Sequence, residues 1–132
     1  MKLTYALTAL GLAIATPLPA LAATIDAVMY KNPQCSCCEA YAAYLEQNGF
    51  KVDIKPVNNL SQISSDAGVP TDLEGCHTIM VDGYVVDGLV PVDVVKKLLT
   101  ERPAITGITL AGMPAGAPGM GGAKNETWTV YA

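Results

Sequence analysis

The sequence predicts a single α/β domain in which a parallel β-α-β unit is followed by an antiparallel hairpin and a closing helix. Three observations carry this. Phe50, Val52 and Ile54 alternate with Lys51, Asp53 and Lys55, the period of a half-buried strand. Asp82-Gly83 divides two apolar runs, as a two-residue type I′ turn does. Val94, Val95, Leu98 and Leu99 then recur at helical spacing.

The first 22 residues precede that domain. Lys2 supplies a positive start, Leu3 to Leu18 is an apolar run, and Ala20-Leu21-Ala22 is a small-x-small cleavage site, the pattern of a secretory signal peptide. Gly11, Pro17 and Pro19 leave the run short of the roughly 20 apolar residues that span a bilayer. Cleavage after Ala22 is therefore expected, leaving residues 23–132 as one domain outside the cytoplasm, with no membrane association. No cysteine follows the cleavage site to take a lipid anchor.

Thr24 to Met29 reads as a first strand, and Asn32-Pro33 ends it. Cys38 to Asn48 reads as a helix with Tyr41, Tyr44 and Leu45 on one face, stopped at Asn48-Gly49. The strand of Phe50 to Lys55 follows, ended by Pro56, which cannot donate to a ladder. Leu60, Ile63 and Ala67 mark a short helix before Gly68, and the hairpin pairs Thr78–Val81 with Tyr84–Val86. Pro91 and Asp93 open the last helix, and Pro103 stops it. Gly107 to Gly122, rich in Gly, Pro and Met and without charge, reads as a long loop, neither strand nor helix, folded over a site as a lid. Thr127 to Tyr131 reads as a final edge strand, with Trp128 and Val130 to one side. The order is that of a thioredoxin-like domain with a Gly/Pro/Met-rich C-terminal loop, and it sets a cysteine cluster in the first strand-to-helix connection.

Eight basic against twelve acidic side chains give a net charge of −4, which repels the phosphates of nucleic acid. The chemistry lies in four cysteines and a single histidine, grouped as Cys35-Ser36-Cys37-Cys38 and Cys76-His77. Thiolates are soft donors that select Cu(I), zinc or iron–sulfur clusters, and imidazole suits copper and zinc alike. In an oxidising compartment, Cys35 with Cys38, or one of them with Cys76, can also bridge, whereas adjacent Cys37 and Cys38 would strain. A helix N-terminus favours the thiolate of a cysteine placed there. One histidine is too few for a blue-copper centre, which needs two. A closed zinc site of Cys₄ or Cys₃His type is chemically open. So is metal-free thiol–disulfide exchange through the Cys35-x-x-Cys38 pair, with Cys37 or Cys76 as resolving thiol.

Cys35-Ser36-Cys37-Cys38, Gly75-Cys76-His77-Thr78, Gly83 to Gly88, Val90-Pro91 and the Gly112 to Met120 stretch together resemble the thioredoxin-like periplasmic proteins called CopG. The resemblance runs through nearly all of residues 23–132 in the same order. It implies copper resistance in the periplasm of a Gram-negative bacterium. Copper, as Cu(I) and in a multinuclear cluster, would be held by Cys35, Cys37, Cys38, Cys76 and His77, with Met113 and Met120 as secondary candidates. Exchange between Cu(I) and Cu(II), with other periplasmic copper-handling or redox proteins as partners, is a further implication. The chain departs from the family pattern at Tyr41, where a tryptophan is usual, and at Leu89, where a histidine is usual.

Overall fold

A five-stranded mixed sheet in the order β2-β1-β3-β4-β5 organises the molecule, whose computed structural model describes residues 22–132. Strand β1 (Ile25–Lys31) runs parallel to β2 (Phe50–Pro56) and is joined to it by helix α1 (Ser36–Glu46). Helix α2 (Leu60–Asp66) and a 3₁₀ turn at Thr71–Leu73 lead to the hairpin of β3 (His77–Val81) and β4 (Tyr84–Gly88). Helix α3 (Val92–Glu101) then returns the chain to β5 (Gly107–Leu110), parallel to β4. The predicted element order is the observed one as far as α3. The expected signal peptide falls outside the described residues, apart from Ala22.

Each element follows from local chemistry. At the hairpin, Asp82 and Gly83 both take positive φ, 47° and 83°, as the type I′ turn demands. Helix α3 ends on Arg102 in the left-handed region, and Pro103 prevents continuation. Tyr41, Ala42 and Leu45 of α1, Val95 and Leu98 of α3, and Met29, Ile79 and Val86 of the sheet form one buried cluster. Two tyrosines of α1 also fasten the start of α3. The Tyr41 hydroxyl donates to the Val90 carbonyl at 2.6 Å, and the Tyr44 hydroxyl accepts from the Val92 N–H at 3.0 Å. The second bond satisfies one of the amides that a helix start leaves without an internal partner.

Three expectations need correction. Helix α1 begins at Ser36, not Cys38, because Cys35 caps it through its own sulfur. Gly107 to Leu110 is a strand and not part of a loop: β4 still had an open edge, and hydrogen-bonding it outweighs a weak local β signal. Gly107 is needed there, since a Cβ would run into the Val85 carbonyl. Conversely, Thr127–Tyr131 forms no strand. It makes a single bridge, Thr109 with Tyr131, while Trp128 and Val130 pack against the core.

Candidate metal centre

Strand register brings the two cysteine segments together. In the antiparallel β1–β3 pair Lys31 lies opposite His77, so the chain leaving β1 and the chain entering β3 meet at one end of the sheet. The Asn32 N–H donates to the Cys76 carbonyl at 3.4 Å across this junction. Cys35 is the N-cap of α1, its sulfur accepting from the Cys38 N–H at 3.2 Å, and Cys37 and Cys38 occupy the first helical turn.

The sulfurs of Cys35, Cys37, Cys38 and Cys76 all lie within 4.8 Å of one another. Cys35 and Cys38 are joined as a disulfide, one of the bridges the spacing allowed, and Cys37 and Cys76 are free thiols. Cys76 Sγ is 3.2 Å from Cys38 Sγ and 3.6 Å from Cys37 Sγ, which is itself 3.4 Å from Cys35 Sγ. Cys38 is fully buried, while the other three are partly exposed. Burial, followed by the contact with Cys37, pushes the Cys76 thiol up to about 12. Cys76 is thus protonated at neutral pH, and a metal ion bound there would have to displace that proton.

His77 meets this cluster through Cys76. Its Nδ1 lies 3.7 Å from Cys76 Sγ and its Nε2 is 2.9 Å from the Gly88 carbonyl. A carbonyl only accepts, so Nε2 carries the proton and Nδ1 presents a lone pair toward Cys76. The ring stacks on Tyr41, centroids 5.0 Å apart, and burial lowers its pKa to about 4, keeping the imidazole neutral as a metal ligand must be. Tyr41 thus serves as the wall behind the histidine. Leu89 is fully buried in the hydrophobic core.

The two methionines part company. Met113, half exposed, places its thioether 3.9 Å from Cys37 Sγ. Met120 is partly buried and packs against the hydrophobic core, as Cys35, Cys37 and Cys76 also do. The segment between them lies across the first turn of α1: a Cβ on Gly119 would come within 2.8 Å of the Cys37 carbonyl, and Ala117 is buried. The part of the expected lid that remains after β5 therefore does cover the cysteine-bearing helix end.

Two buried charges flank the site that sequence reasoning passed over. Lys31 is 1% exposed, and its ammonium donates to the carbonyls of Asn32, Pro33 and Cys35 at 3.1, 3.2 and 3.3 Å. Asp87 is fully buried, accepting from the Gly75 N–H at 2.5 Å and from the Thr78 hydroxyl at 2.6 Å, with Ser64 behind Thr78 at 2.7 Å. The signal for Lys31 was present, because it continues the buried phase of Ala27 and Met29 on β1. Asp87 shares the opposite face of the hairpin with Thr78, its register partner.

As a donor set, four sulfurs with one imidazole behind them suit a soft ion. With the disulfide closed only Cys37 and Cys76 offer thiolates, and two-electron reduction makes all four available.

Comparison with known proteins places this site in a family. Residues 73–120 match the family model described as "Protein of unknown function, DUF411". No curated protein matches the chain. Two solved structures, titled "Copper resistance protein copG" in Form 2 and Form 1, are each 34% identical to it. Each alignment covers 81% of this chain and 86% of the other, with a TM-score of 0.75. With that identity sustained over most of both chains, this protein belongs to the CopG-like copper resistance family.

Proposed function

We propose that this protein is a periplasmic copper-binding protein of copper resistance, exported by a signal peptide cleaved after Ala22, that captures Cu(I) as its cargo. The observation that carries the reading is the convergence of four cysteine sulfurs from two distant segments within 4.8 Å. Cys35, Cys37, Cys38 and Cys76 are the thiolate ligands, His77 adds Nδ1, and Met113 offers a thioether at the exposed side. Met120, without the contact to a cysteine sulfur that Met113 makes, is the weakest of the seven assigned positions. Sulfur-rich donors favour copper over zinc, and bridging thiolates would let the site hold more than one Cu(I). Exchange between Cu(I) and Cu(II) belongs to the same proposal. A single imidazole gives Cu(II) little nitrogen ligation, so such exchange would depend on a redox partner in the periplasm.

The test is anaerobic titration of the reduced protein with Cu(I), Cu(II) and Zn(II), counting metal bound per chain, alongside Cys76→Ser and His77→Ala. Tight Cu(I) binding that weakens in Cys76→Ser is the expected result. Binding unchanged in both variants removes the second segment from the site, and preference for zinc removes copper.

A second reading has one specific observation in its favour. Cys76 Sγ stands 3.2 Å from Cys38 Sγ of the Cys35–Cys38 disulfide, where a thiol would resolve an exchange reaction. A metal-free protein that reduces a mixed disulfide catalytically would support this reading over copper capture.

A further inference from the structure

Burying an ammonium is costly unless its protons are taken up, and the fold does so with backbone oxygen rather than with a deep ion pair. Lys31 has three N–H donors. Three carbonyls of the connection ahead of α1, those of Asn32, Pro33 and Cys35, lie within 3.3 Å of its Nζ. Glu39 of α1 adds a carboxylate at 3.2 Å, but that side chain is 63% exposed and contributes little by itself. The carbonyls are therefore the principal partners, and all belong to the one stretch of chain that carries Cys35 into the helix.

From this geometry we infer that Lys31 is a positioning residue for the cysteine cluster: its ammonium gathers the Asn32–Cys35 backbone from beneath and holds Cys35 at the α1 N-cap. Without that centre, three carbonyl groups that lie side by side would repel one another and turn outward to water. The Cys35 backbone would turn with them, and its sulfur would leave the position 3.4 Å from Cys37 Sγ that the four-sulfur cluster requires. Lys31 itself sits at the end of β1, fixed by ladder bonds to β2 on one side and β3 on the other. The anchor is thus part of the sheet, and the segment it holds has one backbone bond within itself, from the Cys35 N–H to the Asn32 carbonyl at 3.1 Å, and one to the second segment, from the Asn32 N–H to the Cys76 carbonyl at 3.4 Å. The inference deepens the proposed copper site and rests on it for its purpose, though not for its geometry.

Lys31→Met and Lys31→Gln provide the test, with two readings on each variant. The first is the equilibrium of the Cys35–Cys38 disulfide with glutathione in the metal-free protein. The second is Cu(I) affinity in competition with a chromophoric chelator. A loop that no longer holds the two sulfurs together lowers their effective concentration and shifts the first equilibrium toward the dithiol. The expected shift is about fivefold or more for Met, which keeps the stem and loses every donor. Gln, which keeps an amide donor, shifts it less, and Cu(I) affinity falls in the same order. A Lys31 that merely fills space would give the reverse order, with Met nearest to wild type. That order, or wild-type values in both folded variants, overturns the inference. Should the Met variant not fold, the Gln variant decides: a shift of about twofold or more sustains the inference, and none refutes it. A wild-type protein that binds no Cu(I) would refute the copper reading, while the glutathione equilibrium would still decide the role of Lys31.

Discussion

The two chain segments that bring sulfur to the site are held by opposite means. The Asn32–Cys38 segment lies over a buried cation, Lys31, which gathers carbonyl oxygens. The Gly75–His77 segment lies beside a buried anion, Asp87, which gathers the Gly75 amide and the Thr78 hydroxyl. The difference lies in which backbone groups each segment turns to the charge. The connection into α1 turns several carbonyls to one side, and no strand ladder reaches them. The connection into β3 turns the Gly75 amide to Asp87. In both cases the charge lies on a strand and Cys35 or Cys76 on the connection beside it.

Substitutions in and beside the two segments test this contrast. The largest effect is expected from Cys76→Ser, which takes away the only sulfur of the second segment. Cu(I) affinity should fall on the order of 100-fold or more by anaerobic competition, against roughly tenfold or less for Met113→Leu at the exposed edge. Equal losses in the two variants would abolish the distinction between a core ligand and a peripheral one.

Next in size is Asp87→Ala. It leaves the partly buried Gly75 amide without its acceptor and the Thr78 hydroxyl with Ser64 alone, and should cost about 2 kcal/mol in denaturant unfolding. A loss below about 0.5 kcal/mol would mean that Asp87 is not the anchor of the second segment. Tyr41→Phe removes only the hydroxyl bonded to the Val90 carbonyl and should cost about 1 kcal/mol. Its ring would still back His77.

The smallest effect is the net pH dependence of the metal-free wild type, because its sign differs between two buried groups, Asp87 and His77. Burial raises Asp87 from 3.8 to about 6, so the folded state holds an extra proton across that window, and this contribution to stability falls as pH rises through it. Burial lowers His77 from 6.5 to about 4, so the folded state lacks a proton the unfolded chain binds, and this contribution rises between about pH 4 and 6.5. The two oppose each other in wild type. Relative to wild type, Asp87→Asn should gain stability with rising pH from 4 to 6.5, and His77→Gln should lose it, as read from urea midpoints. The same slope in both variants would contradict the opposed contributions.

Much of the fold was legible because its signals are local. Asp82-Gly83 can only turn one way between two apolar runs, and the periodicity of Val94 to Leu99 admits one buried face. Residues 107–110 and 127–131 were misread because pairing at a sheet edge is a property of the partner strand. Gly-Ile-Thr-Leu becomes a strand beside an open β4, whereas Thr-Trp-Thr-Val-Tyr finds only Thr109 to pair with. At the candidate site, the cysteines and His77 were named from their chemistry alone.

Residue type and spacing by themselves determined which atoms are available: soft sulfur in two clusters, one imidazole, and a sheet-and-helix order that sets the first cluster at a helix start. Tertiary structure alone decided how they are arranged, because distances between residues far apart in the chain depend on strand register. The Lys31–His77 register brings Cys76 to the cysteine-bearing helix, the Gly88 carbonyl selects the ring nitrogen that faces Cys76, and the Met113 thioether is brought beside Cys37. Tertiary structure also gave Lys31 and Asp87 their part, since a buried charge is tolerated only where the surrounding backbone supplies its partners.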